Sequence, residues 1–190
     1  MSGPLEEYRW TQEDDGFDAY CVTVVRGASI DDVIDAFACD RTSRLDAPFA
    51  AQRGMSAPYP DGWGNDTIQI DTLEGAVVCL EDNGWAGTED PRPERLSRSG
   101  SYAAVFRNVN AVMQVVAAEA GHVRRRCDPL LYDAEGGIAE EEDLPFGDPD
   151  LATLAMWVLL ERLTGLRLSR GWVLDQPHPA YRRSPDPPAA

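Results

Sequence analysis

The chain has 190 residues, 43% of them hydrophobic, and carries 33 acidic against 17 basic residues, for a formal net charge of −16. This length fits one domain with a sizeable core. The negative charge disfavours direct binding of nucleic acid or anionic membranes, and no apolar run approaches the roughly 20 residues that span a bilayer. Because the N-terminus also lacks the order of a secretory signal, we expect a cytoplasmic protein.

The basic residues are all arginine, which is typical of a GC-rich bacterial genome. The four cysteines lie far apart, and three of them, Cys21, Cys79 and Cys127, fall in predicted strands. In a reducing cytosol such residues are mostly buried small hydrophobes. Their spacing matches no zinc-ligand pattern, so we expect no metal site and no cofactor.

The first half of the chain predicts an acidic arm, a strand, a helix and a long loop. Residues 1–18 form the arm, and the β-branched run 20–26 predicts a central strand. Ser29 and Asp32 are placed as a capping box for a helix over 29–38. Residues 39–65 have no sustained periodicity, which predicts a loop.

The second half predicts a run of strands and then helices. Strands are expected at 67–72, 76–80 and 101–107, and a hairpin over 111–129 turns at Gly121. An acidic loop follows at 133–143. A helix capped at Asp148 ends before Gly165, and Ser169 starts a shorter helix. Five prolines in the last fifteen residues predict a flexible tail over 176–190.

This order predicts a single α+β domain over residues 19–175. Its sheet is expected to be mostly antiparallel and to have five to six strands. One N-terminal helix and one or two C-terminal helices are expected to pack on one face of that sheet.

Several segments resemble an uncharacterised actinobacterial family that carries a domain of unknown function. The resembling segments are 77–85, 95–97, 105–111, 118–122 and 161–166, within roughly residues 20–175. The resemblance implies a small mixed sheet with helices and no established chemistry.

No catalytic constellation is predicted. His122 lies at the expected hairpin turn and His178 among prolines in the tail, so neither is placed as a general base. The chain has no lysine, which excludes a P-loop lysine and a Schiff-base mechanism. The acidic loop lacks the ligand order of an EF-hand. The run 124–126 offers an anion-binding patch, but we favour arginines that offset the neighbouring acids.

Four residues are candidates for binding: Glu81, Asn83, Trp85 and Asn108. Glu81 ends a buried-looking strand beside the Asn83 turn, and a carboxylate that is partly desolvated there is suited to anchor a partner. The simpler interpretation is a strand-end glutamate that accepts hydrogen bonds from nearby backbone amides. Trp85 is the best candidate for an aromatic interface anchor.

Three functions fit these observations. The first is a non-catalytic acidic interaction module, of an immunity, antitoxin or accessory type, that binds a basic protein partner. The second is a small enzyme or small-molecule-binding protein with a site near the Glu81–Trp85 turn. The third is a protein that mimics DNA with its carboxylates. The oligomeric state is left open by the sequence.

Overall fold

The computed structural model describes residues 3–14, 17–52, 66–131 and 136–184. In this part of the chain, eight strands form one sheet in the order β2-β8-β3-β4-β1-β5-β6-β7, and every neighbouring pair is antiparallel. The strands are β1 Tyr20–Arg26, β2 Cys39–Ala47, β3 Thr67–Leu73, β4 Ala76–Asp82, β5 Ser101–Arg107, β6 Met113–Glu119, β7 His122–Cys127 and β8 His178–Arg183.

The helices are short apart from the last one. They are α1 Trp10–Glu13, α2 Ile30–Ala36, α3 Arg92–Leu96 and α4 Ala152–Thr164. Single helical turns lie at Glu6–Tyr8, Phe49–Ala51, Ala86–Thr88 and Ala139–Glu141, and a wider turn lies at Gly171–Asp175. The predicted Ser29–Asp32 capping box is present at the start of α2, and Gly165 ends α4 at a positive φ of 65°.

The predicted fold is wrong in its strand count and in its helix arrangement. The sheet has eight strands because β2 lies in the segment predicted as a loop and β8 in the segment predicted as a tail. Of those two segments, residues 53–65 and 185–190 lie outside the described residues, as do residues 133–135 of the acidic loop.

Helices pack on both faces of the sheet. Since strand side chains alternate between faces, Val22, Val78 and Val105 join one core cluster with Trp157 of α4. We call this side the α4 face. The opposite side, the α2 face, buries Val25, Cys79, Ala104 and their neighbours against α2 and α3. The sheet therefore separates two hydrophobic layers.

The N-terminal segment is packed on the α4 face by an aromatic cluster. Tyr8 and Phe17 are buried, and Phe17 stacks on Tyr20 at 4.2 Å between ring centroids. Trp157 Nε1 donates to the Tyr20 hydroxyl at 2.8 Å, and the Tyr8 hydroxyl donates to Glu161 at 2.7 Å. These contacts join Tyr8 and Phe17 to β1 and α4.

Candidate functional site

Glu81 lies on the α2 face of β4, and its side chain is completely buried. Its Oε2 accepts from the Ala86 amide at 3.1 Å, and its Oε1 accepts from the Gly87 amide at 2.9 Å. Arg183 of β8 brings Nη2 to 3.4 Å from the same carboxylate. A buried charge is tolerated when it is paired and hydrogen-bonded in this way. The carboxylate therefore holds the 83–88 loop against the sheet.

The loop approaches the sheet so closely that two glycines are required. A Cβ at Gly87 would lie 2.0 Å from Thr23 Oγ1 and 2.9 Å from Cys21 Sγ, and a Cβ at Gly84 would lie 2.5 Å from Glu81 Oε2. The Tyr102 hydroxyl also donates to the Gly87 carbonyl at 2.5 Å. Loop and sheet are therefore packed with no room for a larger side chain at these positions.

The thiols beneath this loop are held in the protonated form. Burial raises the pKa of Cys21 and of Cys79 well above the ordinary value, and the negative charge of Glu81 raises both further. Burial also raises the pKa of Cys39 to about 12. Since the thiolate is the nucleophile, these cysteines are suited to packing.

Asn83 and Trp85 flank the buried carboxylate at the surface. Asn83 is exposed, adopts a positive φ of 51° and donates its backbone amide to the Ala19 carbonyl at 2.9 Å. Trp85 is half-buried, and its Nε1 donates to Glu89 Oε1 at 3.0 Å. The turn that was predicted from the Asn-Gly pair is present.

Asn108 holds the loop between β5 and β6. Its Oδ1 accepts from the backbone amides of Asn110 at 2.9 Å and Val112 at 3.0 Å. This fixes an exposed apolar tip, because Val109 is 70% and Val112 is 51% exposed. We call residues 108–112 the valine loop.

Strand register places the candidate residues at one end of the sheet. Tyr20 at the start of β1 pairs with Asp82 of β4 on one side and with Arg107 of β5 on the other. Asn83 and Asn108, the next residues, therefore leave the same end of the sheet, two strands or about 10 Å apart. The Glu81 side chain instead points into the α2 face, where its oxygens are already hydrogen-bonded.

A second candidate surface surrounds α4. The N-terminal segment and the segment 136–150 both contact this helix, and Gln12 Nε2 donates to the Asp150 carbonyl at 2.8 Å. Six exposed carboxylates of these two segments pair with no arginine in the described part of the chain: Glu13, Asp18, Glu142, Asp143, Asp148 and Asp150. We call these six residues the acidic face. The sequence predicted an acidic arm and an acidic loop, but nothing in it indicated that α4 joins them.

Arginines attach these acidic segments to the body of the protein. Arg162 of α4 donates to the carbonyls of Glu140 at 2.9 Å and Glu142 at 2.7 Å. Arg125 pairs with the buried Glu141 at 2.7 Å. The other two arginines of the 124–126 run also form ion pairs with carboxylates of this chain. The carbonyl contacts leave the carboxylates of the acidic face unneutralised.

The two histidines differ in their surroundings. His122 is exposed beside the hairpin turn, whereas His178 is buried in β8. His178 Nδ1 lies 2.8 Å from Asp71 Oδ2, and its Nε2 lies 2.6 Å from the Trp172 carbonyl. Both ring nitrogens are thus engaged within the fold. Across the described ranges, no group of three or more His, Cys, Asp or Glu side chains is placed to hold a metal ion.

No helix in the described part of the chain combines the length and apolarity needed to cross a membrane. Comparison with curated proteins and with solved structures finds no match. A family model does match residues 1–145, which is most of the chain. The match ends before α4 and β8. The chain belongs to the family of unknown function DUF6461.

Proposed function

We propose that this protein is a non-catalytic interaction module, of an immunity, antitoxin or accessory type, that binds a basic protein partner in the cytoplasm. The observation that carries the proposal is the acidic face, in which six exposed carboxylates have no arginine partner in the described part of the chain. We also infer an actinobacterial source, because all 17 basic residues are arginine.

The charge distribution supports this proposal. Most described arginines already contact carboxylates or backbone carbonyls of the same chain, as Arg125 does with Glu141. The charge left for a partner is therefore negative. A surface potential of one sign steers a partner of opposite sign and speeds association. Because exposed charges are screened by salt, affinity should fall as ionic strength rises.

The valine loop supplies the apolar part of such an interface. Arg107, which precedes the loop, donates from Nη1 to the carbonyl of Asp18 at 3.0 Å, so the valine loop adjoins a carboxylate of the acidic face. Protein interfaces combine an apolar core with a polar, solvent-accessible rim. The fixed, exposed side chains of Val109 and Val112 fit that role.

The test is capture of a partner by the tagged full chain from host lysate at low and at high salt, with identification by mass spectrometry. We expect one stoichiometric basic protein that high salt releases. The double variant Asp18→Asn, Asp143→Asn should weaken capture. Glu74→Gln with Glu119→Gln removes the same charge from turns at the opposite end of the sheet and should leave capture intact. Equal effects of the two variants, or salt-independent capture, would count against the proposal.

The alternative function, a small enzyme or small-molecule binder at the Glu81–Trp85 turn, has less support. Both oxygens of Glu81 already accept backbone amides, so a ligand would have to displace them. A mimic of DNA is the weaker alternative, and it predicts capture of a DNA-binding protein in the same experiment.

A further inference from the structure

A groove of about 400 Å³ lies beside β2, at the edge of the sheet and away from the acidic face. Cavities of roughly 300–1,000 Å³ accommodate small molecules. Polar side chains line much of this groove, and apolar ones line the rest. The lining residues that matter here are Asp40, Ser43, Leu45, Thr67, Ala180 and Arg182.

The groove exists because β2 carries an insertion relative to β8. Asp40 pairs with Arg182 and Leu45 pairs with Ala180, so five residue steps on β2 (40 to 45) oppose two on β8 (182 to 180). Bulges of this kind bend an edge strand and redirect its side chains, and they are frequent beside functional sites.

Hydrogen bonds fix the shape of the inserted segment. Asp40 Oδ1 accepts from the Thr42 amide at 2.9 Å and from Thr42 Oγ1 at 2.7 Å. Ser43 Oγ donates to the Asp40 carbonyl at 2.6 Å and accepts from the Arg182 amide at 2.8 Å. The wall of the groove is therefore formed before any ligand arrives, which reduces the ordering cost of binding.

Two opposite charges face this groove without forming an ion pair. Arg182 is exposed, and its guanidinium contacts no carboxylate or carbonyl within the described segments, although the chain has 33 acidic residues. Hydrogen bonds from Thr42 lower the pKa of Asp40, and the charge of Arg182 lowers it further. Asp40 is thus an anion opposite a cation that has no ion-pair partner among the described residues.

We propose that the groove binds a free α-amino acid or a similarly small zwitterion. Arg182 receives the ligand carboxylate, and the Asp40 oxygen that Thr42 does not use receives the ligand ammonium. Both contacts are charge-assisted hydrogen bonds, which are stronger than neutral ones. Leu45, which is 55% exposed, contacts the ligand's aliphatic side chain. This site is independent of the proposed protein interface.

The test is isothermal titration calorimetry of the full chain with L-leucine, 4-methylpentanoate and isoamylamine. The second compound lacks the ammonium of leucine, and the third lacks its carboxylate. We expect leucine to bind and each analogue to bind about tenfold more weakly or worse, since one charged hydrogen bond is lost. Absence of binding by leucine, or equal binding by all three compounds, would overturn the proposal.

Two variants examine the assigned contacts. Arg182→Gln keeps the backbone amide that donates to Ser43, and Asp40→Asn keeps the oxygen that accepts from Thr42, so the bulge is retained in both. Each variant should lose leucine affinity by about tenfold or more. Arg98→Gln, which removes an exposed guanidinium elsewhere, should bind as the parent does. An equal loss in Arg98→Gln, or no loss in the two groove variants, would refute the assignment.

Discussion

Glu81 illustrates how one residue connects the sheet to the loop that follows it. The carboxylate contacts two backbone amides and a guanidinium in a site closed to water. Sequence reasoning selected this residue as a possible anchor and favoured the simpler interpretation, hydrogen bonding to nearby amides, which the contacts confirm. The contribution of Arg183 could not be foreseen, because it requires β8 to lie in the sheet.

Replacement of Glu81 should destabilise the fold strongly. Glu81→Ala removes the acceptor of two buried amides and the carboxylate beside the buried Arg183, at a cost of about 3–5 kcal/mol. Urea unfolding of the purified variant measures this free energy. The exposed Glu74→Gln should shift it by less than about 0.5 kcal/mol. If the two variants unfolded at the same urea concentration, the carboxylate would have no structural role.

A double-mutant cycle tests the close approach at Gly87. Gly87→Ala places a methyl group against Thr23 Oγ1 and Cys21 Sγ and should cost about 1–3 kcal/mol through overpacking. Thr23→Ala removes the nearer of these two atoms, so the double variant should recover part of the loss. Gly3→Ala, where nothing lies within 4 Å of the added carbon, serves as the matched control. Strict additivity of the two single changes would show that these side chains do not meet.

At the scale of elements, local signals were sufficient for some segments and not for others. Strand β1, helix α2 and the β6–β7 hairpin were predicted because a β-branched run, a capping box and a central glycine are local features. Strands β2 and β8 were missed for a physical reason. The bulge in β2 removes the regular alternation that marks a strand. Pro179 within β8 and the prolines around it argue against a strand, and the partners of β8 are distant in sequence.

The valine loop offers a test of local order at this scale. Asn108→Ala removes the acceptor of the Asn110 and Val112 amides, so hydrogen exchange at both should accelerate while the rest of β5 and β6 stays protected. Asn110→Ala is the control, because it leaves the acceptor in place. Unchanged exchange in Asn108→Ala would mean that the loop is ordered by its backbone alone.

At the scale of the whole molecule, the buried thiols and the buried phenol of the α2 face predict a loss of stability at alkaline pH. Burial raises the folded-state pKa of Cys21, Cys79 and Tyr102 above ordinary values of 9.0 for thiols and 10.0 for tyrosine. The contribution of each group to the free energy of unfolding is complete at pH values below its ordinary pKa. As the pH rises above that pKa, the free energy of unfolding falls by about 1.4 kcal/mol per group and pH unit.

Urea midpoints between pH 7.5 and 10.5 would measure this loss. The midpoint should be nearly constant up to about pH 8.5 and then fall. Replacing Cys79 by alanine removes one of the groups and should make the alkaline decline shallower, although the variant starts from a lower stability. A decline of unchanged steepness would assign the effect to other groups.

The sheet also predicts that the segment matched by the family model does not fold alone. The match ends at residue 145. Strand β8, which follows it, lies between β2 and β3, and α4, which also follows it, packs on β1 and β5. A fragment of residues 1–145 would lack both elements, so it would expose the α4 face and leave β2 without a neighbour. We expect it to show no cooperative unfolding transition.

Two longer fragments separate the contributions of α4 and β8. A chain ending at residue 177 keeps α4 but loses β8, and with it Arg183 beside Glu81 and His178 beside Asp71. This chain should be much less stable than the full chain. A chain ending at Ser184 retains every described element and should unfold as the full chain does. Circular dichroism and urea unfolding of the three fragments distinguish these cases, and a cooperative transition in residues 1–145 would show that the family segment is a complete folding unit without β8.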